Sequence, residues 1–231
     1  MNRTWNVVRM QLVNRQTYLW VPVIVLVGSL IITLAIYGII SSAGVDSAMY
    51  GGGAQAPLWY FAVVGAQALT LTFPFSQAMS VTRREFFLGT LLTAGLTALI
   101  LVIVFVVGGL VEQATNGWGM DGYFFYIPWI WDAGPFAAGV FFFALALLFF
   151  VVGFWGATIY KRWGTAALTT VILAIALVLV GLLWLVGQLN AWAEVGLWLA
   201  TTGALGMALW GLLLFVVLAG SSYLTLRRTV P

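Results

Sequence analysis

The chain has 231 residues, 63% of them hydrophobic and 6% charged, with a mean hydropathy of +1.09, values outside the range of a soluble globular domain. It contains neither Cys nor His, which excludes disulfides, haem or zinc ligation through thiol or imidazole, and catalysis by either group. The net charge of +3 comes from nine basic residues set beside apolar segments, a pattern that fits membrane orientation and not nucleic-acid binding. These values imply an integral membrane protein.

The first segment, Met1 to Tyr18, reads MNRTWNVVRMQLVNRQTY. It is polar, carries Arg3, Arg9 and Arg15, and leads into an apolar run long enough to span, so the expectation is a retained helix and no removable signal peptide. The segment has no breaker, and Trp5, Val8, Leu12 and Leu19 share one stripe of a helical wheel. Two readings stay open: a helix lying on the inner membrane surface, or a plain basic flank.

Six runs of about 20 apolar residues follow: Leu19 to Ile40, Leu58 to Ser80, Leu88 to Val111, Phe136 to Ile159, Ala166 to Val186 and Val195 to Leu218. None has a charged residue well inside it, so each can cross as a helix with its backbone hydrogen bonds satisfied internally. An even number of spans puts both termini on one side. If that side is cytoplasmic, the inner segments hold every basic residue: Arg3, Arg9, Arg15, Arg83, Arg84, Lys161, Arg162, Arg227 and Arg228. The outer loops hold Asp46, Glu112, Asp121, Asp132 and Glu194, read as solvated loop carboxylates. The sign separation predicts both ends inside.

Among the loops, Gly51 to Gly53 is read as a flexible turn before the second span. The longest outer loop, Glu112 to Pro135, contains the aromatic stretch GYFFYIPWIW. That stretch is too short to span and suits either the outer interface or a packed cap over helix ends.

The second span is the most polar. At a helical period Tyr60, Gln67, Thr70, Pro74 and Gln77 fall along one face, which predicts a face turned away from lipid, as a pathway lining or as helix-packing glue. Pro74 removes a backbone donor and marks a bending point. Pairs of small residues four apart, Ala94 with Ala98, Gly153 with Ala157 and Ala204 with Ala208, predict close helix packing.

The inner turn SVTRREFFLGT concentrates Arg83, Arg84 and Glu85 ahead of Phe86 and Phe87. The arginines serve as orientation anchors, but Glu85, the one acid inside, does not. Thr82 as N-cap and Glu85 at the third helical position form a capping-box pattern, which predicts a short helix at this turn, a rigid charged knob suited to a protein partner.

This turn resembles the cytoplasmic turn between the second and third helices of type-2 ATP-binding-cassette (ABC) transporter permeases. There, a short coupling helix with an Arg-rich, Glu-containing turn and following aromatic residues sits against the ATPase subunit. The layout of the whole chain is similar too: a polar connecting helix, six spans and an end reading LRRTVP. The resemblance implies an all-α polytopic protein, one transmembrane domain over residues 1–231, with both termini cytoplasmic in the bacterial plasma membrane. It implies an exporter of hydrophobic or amphipathic cargo, paired with a second copy or a homologous permease in membrane lipid, and no role for nucleic acid. The chain itself would hold no cofactor; ATP and Mg would bind in separate ATPase subunits.

In that family frame Val81, Thr82, Arg83, Arg84, Glu85, Phe86 and Phe87 would couple to the ATPase. Tyr160, Lys161 and Arg162 would make a lesser contact. Arg3, Arg9 and Arg15 would belong to the connecting helix. The polar face of the second span would lie near the central pathway. The outer segment Gly187 to Glu194 is short for the re-entrant hairpin of larger members.

The competing classes differ in energy source. Ion-driven transporters carry ionisable residues within their spans, and this chain has none there and no Walker motif. An enzyme would have only outer-loop carboxylates to work with, and no constellation around them. The remaining alternative is an ATPase-independent channel or scaffold, whose packing features would look the same.

Overall fold

The computed structural model describes residues 3–44 and 47–227; Asp46 and Arg228 lie outside the described residues. Helix α1 spans Arg3–Val13 and stops at Asn14. There the Asn14 side-chain amide donates to Thr17 Oγ1 at 2.9 Å, and the Thr17 backbone N–H donates back to Asn14 Oδ1 at 3.2 Å. This local pairing offers the backbone an alternative to the helical ladder, so the unbroken helix expected over Met1 to Tyr18 is divided.

Five helical stretches among the described residues are long and apolar enough to cross a membrane: Gln16–Ser42, Gly52–Ala78, Arg83–Ala114, Pro135–Gln188 and Trp192–Leu226. The first begins with a π-helical turn, Gln16–Trp20, and continues as α2, Val21–Ser42. A short strand β1, Met49–Tyr50, and a 3₁₀ turn, Gly52–Ala54, then lead into the second. That second stretch is α3, Gln55–Gln67, a π-helical turn, Ala68–Thr72, and α4, Phe73–Ala78.

Both π turns end two residues before a proline, Pro22 or Pro74. A proline ring has no N–H for the carbonyl four residues back, Tyr18 or Thr70, and clashes with it; a widened turn relieves the clash. The turn also takes up an extra residue, so the helical period slips. Tyr60 and Gln67 therefore do not continue in register to Pro74 and Gln77, contrary to the single face expected from an uninterrupted period.

Helix α5 spans Arg83–Ala114. Beyond it the chain makes a turn at Gly117–Asp121, then strand β2, Gly122–Tyr123, which pairs in parallel with β1. The short helix α6, Pro128–Trp131, follows. Helix α7 runs Pro135–Gln188 and is broken at Gly164, whose φ of 81° and ψ of −176° leave the helical region. The chain folds back there. Leu168 Cδ1 lies 3.8 Å from the position a Cβ on Gly156 would take, whereas twelve residues of straight helix would separate the two by about 18 Å.

The two helical halves expected on either side of residue 160 are thus present, but the connection narrows to one glycine: Tyr160, Lys161 and Arg162 are helical, not a turn. Helix α8, Trp192–Leu226, is likewise broken at Gly203, with φ 61° and ψ 178°. The last span, expected over Val195 to Leu218, is therefore interrupted. Residues 204–226 form the unbroken stretch, and residues 192–202 are about 16 Å long, too short to cross alone.

The core is aromatic, with Phe73, Phe86, Phe105, Phe124, Phe150 and Phe154 fully buried. Helices α3 and α7 cross at two glycines: a Cβ on Gly65 would strike the Phe150 carbonyl oxygen, and one on Gly153 the Ala62 carbonyl oxygen. Small residues let the two backbones touch there, which gains dispersion contacts where apolar burial from lipid gains little. Ala94, Ala98, Ala157, Ala204 and Ala208 are all buried, as their spacing predicts. Residues 165–202, by contrast, leave most of their side chains exposed.

Candidate functional site

The turn between α4 and α5 is a junction of four elements. Thr82 has extended backbone and caps α5: the Glu85 N–H donates to Thr82 Oγ1 at 3.2 Å, and the Thr82 N–H donates to Glu85 Oε2 at 2.9 Å. The reciprocal capping box is present, but it opens the 32-residue α5 directly, so the separate short helix expected at this turn does not form. Gln77, a pathway or helix-packing candidate, ties the turn by donating to the Val81 carbonyl at 2.9 Å.

From this cap the side chains diverge. Thr82 and Arg84 are exposed, Val81, Arg83 and Glu85 half-buried, and Phe86 and Phe87 buried. Phe86 packs on Phe73 of α4, ring centres 5.1 Å apart, and Phe87 packs on Tyr223 of α8 and Phe154 of α7 at 5.0 and 6.1 Å. Arg83 Nη1 donates to the carbonyl oxygens of Leu226 and Arg227 at 3.1 and 2.6 Å. A cation here meets the negative end of α8, where the last carbonyls have no helical donors.

Helix α1 lies alongside. Val7 approaches Gly89, where a Cβ would come within 2.6 Å of it, and Gln11 Nε2 donates to Thr90 Oγ1 at 2.8 Å. The packed face is Val7, Val8 and Gln11, all buried, while Trp5 and Leu12 stay exposed. Of the stripe Trp5, Val8, Leu12 and Leu19, only Val8 is buried, and the other three are exposed. Arg9 and Arg15 are exposed, and the side chain of Arg3 lies outside the described residues.

The fold thus gathers Arg9, Arg83, Arg84, Lys161, Arg162 and Arg227 toward one end of the bundle. A cavity of about 460 Å³ lined by Arg162, Leu224, Thr225 and Arg227 joins the end of α7's first half to the end of α8.

The polar residues of the second span are half-buried, Tyr60, Gln67, Thr70, Pro74 and Gln77 alike. Thr70 Oγ1 donates to the Ala66 carbonyl within its own helix at 2.9 Å, and Tyr60 packs against the aromatic core. Both of these contacts lie within the packed bundle.

At the opposite end of α5, about 45 Å from Arg83, Glu112 is fully buried. Its Oε1 accepts from the Phe124 N–H and Trp118 Nε1, each at 3.0 Å, and its Oε2 accepts from the N–H groups of Phe125 and Tyr126 at 2.8 and 2.9 Å. The expectation of a solvated loop carboxylate is overturned here, although Asp121, Asp132 and Glu194 are exposed as expected. Four donors replace the lost hydration.

The same carboxylate folds the aromatic loop into a cap, burying Phe124, Phe125, Ile130 and Trp131. It also holds Trp118 at a φ of 60°, uncommon for a bulky residue. Gly51 and Gly53 are part of this cap and not a free turn: the Gly51 N–H donates to the Tyr123 carbonyl at 3.2 Å, and Gly53 lies against Phe124.

Sequence reasoning missed Glu112 because three of its donors are backbone amides, which carry no residue signature. Its place at the end of a long apolar run was the one available signal. Comparisons with protein-family models, curated proteins and solved structures gave no match to this chain.

Proposed function

We propose that the chain is the six-span membrane subunit of an ABC-type exporter for hydrophobic or amphipathic cargo. Both its ends are cytoplasmic, and it works as a pair driven by separate ATPase subunits. The gathering of the basic side chains at one end, with Glu112, Asp121 and Asp132 at the other, supports this orientation. The breaks at Gly164 and Gly203 divide the five apolar stretches so that residues 135–163, 165–188 and 204–226 each have spanning length.

The observation that carries the reading is the two-sided character of the Val81 to Phe87 turn. Thr82 and Arg84 face outward, while Phe86, Phe87 and Arg83 grip α4, α7 and α8. A partner that bears on Arg84 would displace the aromatic contacts of three helices at once, because packed interfaces shift between discrete arrangements and do not deform smoothly. ATP-driven closure of the partner would thereby switch access to the interior of the pair.

Arg9 on α1, Arg15 just beyond it, and Lys161 and Arg162 at the end of α7's first half, would widen the contact. A photo-crosslinker placed at position 84 in native membranes tests the reading. It should capture an ATPase in the absence of nucleotide, and the same group at the buried position 86 should not; equal labelling or no ATPase at position 84 would count against it.

A further inference from the structure

We infer that the chain holds an anionic phospholipid between the end of α7's first half and the end of α8, where Arg162 borders the wider contact proposed above. It rests on the membrane orientation proposed above. The 460 Å³ cavity is lined by two arginines, Arg162 and Arg227, and by Leu224 and Thr225, the Thr225 hydroxyl donating to the Ser221 carbonyl at 3.0 Å. Each arginine lies near a ring, Arg162 over Trp163 at 4.2 Å and Arg227 near Tyr223 at 5.8 Å. Two cations that lie near aromatic rings and line one cavity suit a phosphate diester, with which guanidinium groups pair bidentately.

The neighbouring surface supplies the rest of the ligand. An apolar groove of about 640 Å³ runs between the same two helices, lined among others by Leu145 and Leu148 of α7 and Leu214 and Val217 of α8. At a helical period Leu148, Val152 and Arg162 share one stripe of α7, and Leu214, Val217, Ser221 and Leu224 share one stripe of α8. Val152 and Val217 are exposed, and Ser221 is partly so. Groove and basic cavity are therefore two stations on one seam.

Val217 and Leu214 lie about 10 and 15 Å along α8 from Leu224. A half-bilayer is about 15 Å deep, so an acyl chain whose phosphate sits between the arginines reaches the near end of the groove. A soluble anion would use the cavity and leave the groove empty; the shared seam selects a lipid, and basic pockets on the inner side of helix bundles have this character.

The test is native mass spectrometry of the full chain in detergent, titrated separately with phosphatidylglycerol and phosphatidylcholine. Wild type should retain phosphatidylglycerol preferentially. Arg162→Gln with Arg227→Gln should weaken its retention roughly thirtyfold and leave phosphatidylcholine unchanged, at about one factor of five for each lost cation. Val217→Trp, which fills the groove and spares both arginines, should also weaken retention.

Unfolding temperature and elution volume of each variant establish that it is folded. Equal retention of the two lipids, or retention unchanged in the double variant, overturns the proposal. So does displacement by glycerol phosphate that is unaffected by Val217→Trp, which would make the site one for soluble anions. Loss of ATPase binding with lipid retention intact would make the surface a protein contact instead.

Discussion

Arg83 donates to the carbonyl oxygens of Leu226 and Arg227 at 3.1 and 2.6 Å, so the first helical residue of α5 closes the last turn of α8. The neighbouring Arg84 is exposed and makes no such tie. Of two adjacent arginines, one therefore ties helices together and the other is left at the surface. Arg83→Gln should lower stability by about 1–2 kcal/mol, the worth of charge-assisted bonds that are partly solvated, and should be read as a fall in the thermal midpoint in detergent. Arg84→Gln should leave that midpoint unchanged.

Glu112 predicts a larger effect at the far end. Glu112→Gln puts an NH₂ group where a carboxylate oxygen accepted two N–H donors, and leaves those donors buried without a full set of acceptors. The cost is about 2–4 kcal/mol, measurable as a lower thermal midpoint. Local opening of the cap should appear first in hydrogen exchange of Phe124, Phe125 and Tyr126, whose N–H groups bond this carboxylate. Asp132→Asn, at an exposed position, should change neither quantity.

The crossing of α3 and α7 gives a steric prediction. Gly65→Leu and Gly153→Leu each drive a side chain into a facing backbone carbonyl, so the helices must separate. A loss of about 3 kcal/mol or more is expected, at the upper end of overpacking costs, with reduced yield of folded protein by size-exclusion chromatography. Gly181→Ala, where open space surrounds the added carbon, should be tolerated.

The lack of native cysteine makes the orientation directly measurable. Met79→Cys and Asp132→Cys place single thiols at exposed positions near opposite ends of the bundle. With a membrane-impermeant maleimide on intact cells, Asp132→Cys should label and Met79→Cys should label only after permeabilisation. The reverse pattern would invert the proposed orientation.

The apolar helices, the capping box at Thr82 and Glu85, and the buried small residues were legible because each depends on residue type at a short, fixed spacing. The sites that escaped depend on backbone geometry. Glu112 is held by three main-chain N–H groups, and no residue pattern encodes those. The helical period was misread across the second span because the π turn before Pro74 shifts its register. The break in the last span was not legible for a similar reason: Val195 to Leu218 is evenly apolar, and hydropathy alone cannot distinguish the glycine at 203, which adopts φ 61° and ends a helix, from Gly206 or Gly211, which continue one. The face of α1 that packs on α5 was not legible, because it includes Gln11, whose polarity gives no sign of burial until its hydrogen bond to Thr90 is known.

Every other part of the proposed function depends on an ATPase binding the exposed side of the α4 to α5 turn. The deciding measurement is co-purification of the chain from its native membrane, wild type beside Arg84→Glu, after both variants show the same thermal midpoint. The account predicts a stoichiometric ATPase with wild type and a loss of at least about tenfold in affinity for Arg84→Glu, equivalent to about 1.4 kcal/mol. A wild-type chain that brings down no ATPase, or an Arg84→Glu chain that binds it equally well, would contradict the claim.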